Sequence, residues 1–272
     1  MAKTIDKNHD HQFELEVTGK ERISHDVYLF ELSFPDPETI SGAWPGSHFK
    51  LCADIAGNHV SRPYSTISSV GTKGKMDFLI KIYRPDQTDA RSGLFTTYLE
   101  ENVDVGDSIL VEGPLGKIKY RGYGIFDING KSSTQQKIKR FGMLGAGTGV
   151  TPLFSLAQAS VMSGDGVDIT MVLSNKTKND ILCKPELDNL VKFNSKKFKI
   201  HHTLTRHNNK FHGMRAGLTG RITKDMLKEI DFPLKPDKET MIFVCGPMAF
   251  EGHCLNLMVK QGWELGVNLF TF

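Results

Sequence analysis

Three short motifs contain residue types that bind phosphate or a flat heterocycle. The first, Arg62-Pro63-Tyr64-Ser65, ends a predicted strand, and because side chains alternate along a strand, Arg62 and Tyr64 project to one face. A guanidinium fork suits a diphosphate, the ring beside it suits an aromatic cofactor, and the Ser65 hydroxyl can bond a heterocycle edge. The alternative interpretation is an edge strand with a surface arginine and a half-buried tyrosine.

The second motif is a glycine-rich turn, Gly145-Ala146-Gly147-Thr148-Gly149-Val150-Thr151-Pro152, between an apolar strand and a helical stretch. Glycines let the backbone approach a phosphate, and a helix N-terminus directs its free N–H groups at the anion. We expect Thr151 at the N-cap and Pro152 in the first turn. The spacing is not that of G-x-G-x-x-G and the Walker lysine is absent, so the turn predicts a nucleotide site of another lineage; a purely structural turn is the alternative.

The third motif, Cys245-Gly246-Pro247, follows the apolar strand TMIFV and precedes another helix. Open α/β sheets bind ligands at the carboxyl ends of their strands, which is where both glycine-bearing turns are predicted to lie. A buried cysteine that acts only as a small hydrophobic residue is the alternative interpretation of Cys245.

Two patterns of hydrophobicity position these motifs. From residue 13 to about 119, short β-rich segments separated by glycine and aspartate predict an antiparallel barrel or sandwich, interrupted by one helix at about 94–101. From about residue 140, apolar strands alternate with helical stretches, which predicts βαβ units on a parallel sheet. We therefore predict a polar tail over 1–12, a β-barrel domain with its linker over 13–131, and an α/β domain over 132–272.

Composition narrows the class of protein. The chain has 272 residues, of which 39% are hydrophobic and 24% charged, which is typical of a globular protein. Its net charge of +3 is small for this length and disfavours wholesale nucleic-acid binding. Its four cysteines contain no C-x-x-C pair, which disfavours a disulfide framework or an iron–sulfur cluster and favours a reducing compartment. No segment predicts a secretory leader or a membrane span. We expect a soluble, cytoplasmic protein, with peripheral association through a partner as an option.

In order and spacing, RPYS, GTGVTP, CGP and the final Phe270-Thr271-Phe272 resemble the ferredoxin reductase-like superfamily, and within it NADH–cytochrome b5 reductase and the flavin module of eukaryotic nitrate reductase. The likeness extends from about residue 13 to residue 272. It implies a two-domain fold: an antiparallel Greek-key β-barrel for FAD followed by an α/β domain with a parallel sheet for the nucleotide, the active site lying between them. The implied activity is hydride transfer from NAD(P)H to FAD and then transfer of single electrons to a cytochrome b5-like haem protein or another one-electron acceptor.

The same resemblance assigns roles to individual residues, and it implies no metal site. It makes Ser65, Thr148 and Cys245 catalytic: Ser65 and Thr148 orient the two rings, and Cys245 lies near the hydride without acting as a nucleophile. The FAD-binding residues that it implies are Arg62, Pro63, Tyr64, Ser65, Ile80, Ile82, Tyr83, Gly93, Leu94, Phe95, Thr96, Thr151 and Phe272. The residues that it implies for NADH, or for NADPH, are Lys81, Gly147, Thr148, Gly149, Asn175, Thr205, Arg206, Cys245, Gly246, Pro247 and Met248.

Three segments depart from the family pattern. SGLFT stands where the family has G-K-M-S, so only the backbone amides and the Thr96 hydroxyl keep their implied roles. CGPMAF replaces C-G-P-P-P-M, and Met248 with Phe250 keeps that site apolar. TLTR replaces T-L-D-R, and because a carboxylate there would bond the ribose and repel a 2′-phosphate, Thr205 makes NADPH use an expectation beside NADH.

The roles of two polar segments stay open, and two alternative functions remain beside the one implied by the resemblance. The stretch 117–140 contains seven lysine and arginine residues and a single acid, Asp127. This predicts either a docking face for an acidic haem protein or a solvated loop. The acid-free stretch 192–215 contains His201, His202, His207 and His212, which we interpret as solvated or phosphate-proximal rather than metal ligands. The other candidate functions are the reductase module of a larger haem or molybdenum enzyme such as nitrate reductase, and a non-catalytic flavin- or nucleotide-binding subunit.

Overall fold

The computed structural model describes residues 12–84, 93–132, 137–206 and 218–272, with the side chains of 131 and 132 left out. Its contacts divide the chain into two units, Met1–Lys117 and Ile118–Phe272. The predicted boundary at residue 131 falls inside a small hairpin sheet that the contacts assign to the second unit.

Within its described residues, the first unit contains one six-stranded antiparallel sheet and one helix. Its strands are β1 (Gln12–Arg22), β2 (Val27–Ser33), β3 (His48–Ile55), β4 (Asn58–Tyr64), β5 (Lys75–Lys81) and β6 (Ser108–Leu115), in the order β4-β3-β6-β1-β2-β5. Residues at alternate positions, such as Leu15 and Val17 of β1 and Phe30 and Leu32 of β2, have no exposed surface and form the core. Helix α1 (Leu94–Asn102) confirms the predicted helix.

The second unit is an α/β domain with a six-stranded parallel sheet. Its strands are β10 (Arg140–Ala146), β11 (Asp168–Asn175), β12 (Phe198–Leu204), β13 (Leu218–Thr219), β14 (Thr240–Cys245) and β15 (Leu269–Thr271), in the order β13-β12-β11-β10-β14-β15. Its helices are α2 (Val150–Ser163), α3 (Lys184–Phe193), α4 (Lys224–Glu229) and α5 (Met248–Val259), with 3-10 turns at Gly147–Gly149 and Lys178–Asp180. Every residue from Phe141 to Ala146 is buried, as expected of a strand covered on both faces. The predicted fold class is confirmed in both units.

A three-stranded hairpin sheet precedes the parallel sheet and is held to it by aromatic rings. It consists of β7 (Ile118–Gly122), β8 (Ile125–Ile128) and β9 (Lys131–Ser132). The Phe126 ring centroid lies 5.7 Å from that of Phe243 in β14, and Phe243 stacks on Phe272 at 6.0 Å. This row of rings therefore supports the C-terminal residue of the chain.

Among the helices that the structure describes, none has the length and apolar character needed to cross a membrane.

Candidate functional site

The predicted nucleotide residues, apart from Lys81 of the first unit, lie along one edge of the parallel sheet. Each neighbouring pair of strands is parallel, so all the carboxyl ends meet at that edge. In sheet order, Thr205 follows β12, Asn175 ends β11, Gly147 follows β10, Gly246 follows β14, and Phe272 follows β15. Open α/β sheets bind their ligands at this edge. The topology thus gathers residues that are distant in the sequence.

The two glycine-bearing turns touch each other. A methyl group built on Gly149 would lie 2.2 Å from the Cys245 carbonyl oxygen and 2.7 Å from the Gly246 Cα atom. Gly149 has φ −60° and ψ −7°, an ordinary helical conformation, so this position requires glycine for space and not for backbone freedom. A methyl group on Gly246 would in turn lie 3.1 Å from the Ala146 Cβ atom. Neither turn has room for a side chain where they meet.

The prediction that Thr151 is the N-cap of α2 is wrong. The 3-10 turn Gly147–Gly149 continues directly into the helix, so helical backbone begins earlier and Gly149 takes the N-cap position, without a side-chain cap. Thr151 lies inside the first turn, where its hydroxyl donates to the Thr148 carbonyl at 3.1 Å. Pro152 is in the first turn, as predicted. The Val150 N–H, the first of α2, already donates to the Gly147 and Thr148 carbonyls, so the donors that helix geometry leaves without a partner at the sheet edge are those of the preceding 3-10 turn.

A residue that sequence analysis missed, Glu251, contacts the CGP turn. Its Oε1 atom accepts a hydrogen bond from the Gly246 N–H at 3.1 Å. Burial, with a further contribution from the Glu251 carboxylate, raises the pKa of the Cys245 thiol to about 12, so the thiol is protonated at neutral pH. This agrees with the expectation that Cys245 is not a nucleophile. Burial also raises the pKa of Glu251 itself.

Backbone bonds bring two cations together near Thr205. The Thr205 N–H donates to the Asn175 carbonyl and the Arg206 N–H donates to the Lys176 carbonyl, both at 2.9 Å. Lys176 and Arg206 are consequently neighbours at the sheet edge, and both are exposed. Further along the same edge, after β14, Pro247 and Met248 are exposed, with 89% of Met248 accessible to solvent.

In the first unit, Arg62 and Tyr64 lie at the end of the edge strand β4. The exposed Arg62 guanidinium makes one hydrogen bond to the described residues, from Nη1 to the Ser61 carbonyl at 2.8 Å, and its remaining donors are available to a ligand. The Tyr64 ring stacks on Phe95 with 6.3 Å between centroids, and burial raises the pKa of its phenol, which stays neutral. Pro63 is exposed and Ser65 half-buried beside them.

A glycine also forms a close backbone contact in this unit. Gly93 has φ +77°, and a methyl group built on it would lie 2.0 Å from the Tyr83 carbonyl oxygen. The Thr96 hydroxyl accepts the Tyr83 N–H at 3.0 Å and is within 3.1 Å of the Gly93 carbonyl. This hydroxyl, which the resemblance assigned to FAD, therefore ties the start of α1 to the end of β5. The phosphate-binding role implied for the amides at the start of α1, including that of Leu94, stays a prediction.

The other predicted residues of this unit differ in environment. Ile80 and Ile82 are buried in the core, whereas 45% of Tyr83 is exposed. Lys81 points away from that core, and its Nζ atom lies 2.6 Å from a carboxylate oxygen of Asp26. Its implied contact with the nucleotide stays a prediction.

The histidine-rich stretch is only partly within the described residues. Burial lowers the pKa of both His201 and His202 in β12, so neither is charged at neutral pH. His207 and His212 lie outside the described residues.

Comparison with known proteins matches both units to oxidoreductase families. Residues 14–120 match the oxidoreductase FAD-binding domain, and residues 143–255 match the oxidoreductase NAD-binding domain. NADH-cytochrome b5 reductase 3 of Rattus norvegicus is 32% identical over 247 residues, which cover 89% of this chain and 80% of the rat protein. The crystal structure of the cytochrome b5 reductase domain of Ulva prolifera nitrate reductase superimposes with a TM-score of 0.83 at 29% identity, covering 96% of this chain and 97% of that one.

Nitrate reductase (NADH) 2 of Phaseolus vulgaris is 34% identical over 260 residues, or 94% of this chain. The chain spans 28% of the length of that protein.

Proposed function

The chain belongs to the NADH–cytochrome b5 reductase family, and we propose that it passes the electrons that FAD receives from NAD(P)H, one at a time, to a haem protein such as cytochrome b5. The observation that supports this most directly is the contact between Gly149 and the Cys245–Gly246 turn. It places the two turns predicted to surround the nicotinamide at one point of the sheet edge.

The residues fit the two groups that the family requires. The absence of a side chain at Gly93 lets the start of α1 lie directly against the Tyr83 carbonyl, and the Arg62 guanidinium has donors for a diphosphate. Bound FAD would supply the capacity to accept a hydride and to release two electrons singly. The protein's own contribution is to position the nicotinamide so that hydride donor and acceptor lie about 3–3.5 Å apart.

We assign these tasks to both units. Arg62 and the amides at the start of α1 bind the diphosphate of FAD, and Tyr64 packs on its ring. Thr148 and the 3-10 turn that leads into α2 bind the nucleotide, while the protonated Cys245 thiol fills the space beside the nicotinamide.

Anaerobic titration of the purified protein with NADH and with NADPH, followed through the flavin spectrum, tests this function. We expect bound FAD that either nucleotide bleaches at a catalytic rate, after which added cytochrome b5 is reduced rapidly. FAD that stays oxidised would favour the non-catalytic subunit instead.

Recognition of the electron acceptor depends on surface contacts. The segment 117–140 is a less favourable docking face for an acidic haem protein than its composition suggests. Arg121 pairs with Asp127 at 2.5 Å, Lys139 pairs with Glu239 at 2.6 Å, and Arg140 pairs with Asp237. Three of the seven cations are thus neutralised, so this segment is not a uniformly basic face.

The likeness to the bean enzyme favours a second candidate, a reductase module of a larger haem or molybdenum enzyme. Rapid reduction of free cytochrome b5 supports the first candidate. If the reduced protein transfers electrons only to the haem domain of a nitrate reductase, the second is correct.

Introducing a carboxylate at Thr205 is expected to select NADH. Thr205→Asp should lower kcat/KM for NADPH about tenfold or more relative to NADH, because the carboxylate repels a 2′-phosphate that Lys176 and Arg206 otherwise attract. Steady-state kinetics with both nucleotides measures the ratio. Thr205→Asn is the matched control, since it has nearly the same size as aspartate without the charge. Equal effects of the two substitutions would contradict an electrostatic cause.

A further inference from the structure

Among the described residues, Glu251 has the one carboxylate that is hydrogen-bonded to the CGP turn. The residue lies in the first turn of α5, which begins at Met248 after the N-cap Pro247. Its side chain reaches back to the Gly246 N–H rather than to the N-cap residue. In a capping box the acid at N3 bonds the N-cap N–H, but proline has none, so an acid one position later bonds the preceding residue.

This contact places a charge beside the site of a reaction that creates charge. When a hydride leaves the C4 atom of the reduced nicotinamide with its electron pair and joins FAD, the neutral nicotinamide ring becomes a cation. The Glu251 carboxylate is bonded to the residue between Cys245 and Pro247, both assigned to the nicotinamide. Opposite charges attract more strongly near a protein surface than in water, so a carboxylate at this turn favours a cation bound beside the turn.

We propose that Glu251 is a positioning residue that holds the CGP turn through the Gly246 N–H and, by its negative charge, favours the oxidised nicotinamide over the reduced one. This rests on the proposed function, because it takes Cys245 and Pro247 to face the nicotinamide. A carboxylate that only capped α5 would be replaceable by any neutral acceptor, whereas this role requires the charge.

The test compares two nucleotides that differ in ring charge, with the FAD-loaded protein. The probes are NAD⁺ and 1,4,5,6-tetrahydro-NAD, a neutral and unreactive analogue of NADH, and binding is followed by the flavin difference spectrum. In Glu251→Gln the amide oxygen can still accept the Gly246 N–H. We expect the Kd for NAD⁺ to rise about tenfold and that for the tetrahydro analogue to stay within about twofold.

A second readout needs no nucleotide. Cys245 is the one cysteine that is not buried, so its alkylation by iodoacetamide can be followed against pH. Since the Glu251 carboxylate helps to raise the pKa of this thiol, Glu251→Gln should move the midpoint of alkylation to lower pH. Glu186→Gln is the matched control: Glu186 lies in the first turn of α3 and acts in the same way on Cys183, away from the proposed site.

Glu251→Asp keeps the charge and is expected to keep the preference for NAD⁺ within about threefold of the original protein. The proposal is overturned if Glu251→Gln weakens both nucleotides equally or neither, or if the midpoint of Cys245 alkylation does not move. Should Glu251→Gln fail to fold, Glu251→Asp decides alone, and loss of its preference for NAD⁺ overturns the proposal. Failure of the proposed function is distinct, because FAD in the unsubstituted protein would then not be reduced by NADH.

Discussion

Replacing Gly149 with alanine is expected to slow NADH-dependent reduction of FAD about 100-fold or more, while the purified protein still retains FAD. The new methyl group would lie 2.2 Å from the Cys245 carbonyl oxygen, so the turns after β10 and β14 must separate. Misplacement of reacting groups by about 1 Å costs on the order of 100-fold in rate. The FAD-binding residues assigned to the first unit are unaffected. Anaerobic stopped-flow measurement of flavin bleaching gives the rate, and bound FAD is quantified separately.

Gly252→Ala is the matched control. It makes the same chemical change in the exposed part of α5, where no atom lies within 4 Å of the added methyl group. Alanine is favoured over glycine by about 1 kcal/mol in a helix, so this variant should be at least as stable as the original protein and equally active. A Gly149→Ala protein with unchanged bleaching would show that the contact between the turns does not position the nucleotide.

Much of the architecture was predictable because local patterns and long-range pairing agree. Strands with alternating burial form the antiparallel sheet, and continuously apolar strands such as β10 form the parallel one. The location of GTGVTP and CGP at strand ends follows from the rule that βαβ units bring all carboxyl ends to one edge. That rule predicts proximity, but it does not predict which atoms touch.

The features that sequence analysis missed depend on three-dimensional contacts or on small displacements in spacing. Threonine is a residue type favoured at N-caps, which is why the sequence predicts Thr151 there. The preceding glycines, however, form a 3-10 turn that moves the helix start to earlier residues. Glu251 lies one position beyond capping-box spacing, and its contact depends on the missing N–H of Pro247. Counting charges along 117–140 could not reveal that Glu239 and Asp237, from the segment before β14, neutralise Lys139 and Arg140.

Removing the Arg62 side chain is expected to weaken FAD binding about 100-fold or more. Its proposed hydrogen bonds to the diphosphate are charge-assisted and contribute about 1.5–3 kcal/mol each, so the loss of two, about 3–6 kcal/mol, exceeds the roughly 2.8 kcal/mol that a 100-fold change in Kd requires. The fold should be unaffected, because the guanidinium is exposed and donates to one described carbonyl, that of Ser61. Arg62→Ala should therefore be purified largely without FAD, with a thermal midpoint equal to that of FAD-depleted original protein. Fluorescence titration of the depleted proteins with FAD measures both Kd values.

Arg22→Ala separates this effect from a general loss of positive charge. Arg22 is an exposed arginine of the same unit, and its side chain likewise donates to backbone carbonyls, those of Ser24 and His25. We expect this variant to bind FAD within about twofold of the original protein, since surface substitutions away from a site change stability by about 0.5 kcal/mol or less. If both substitutions weaken FAD equally, the unit attracts the diphosphate by its overall charge. If Arg62→Ala alone does so, the end of β4 binds it directly, where the Arg62 guanidinium lies close enough to act on the Tyr64 ring.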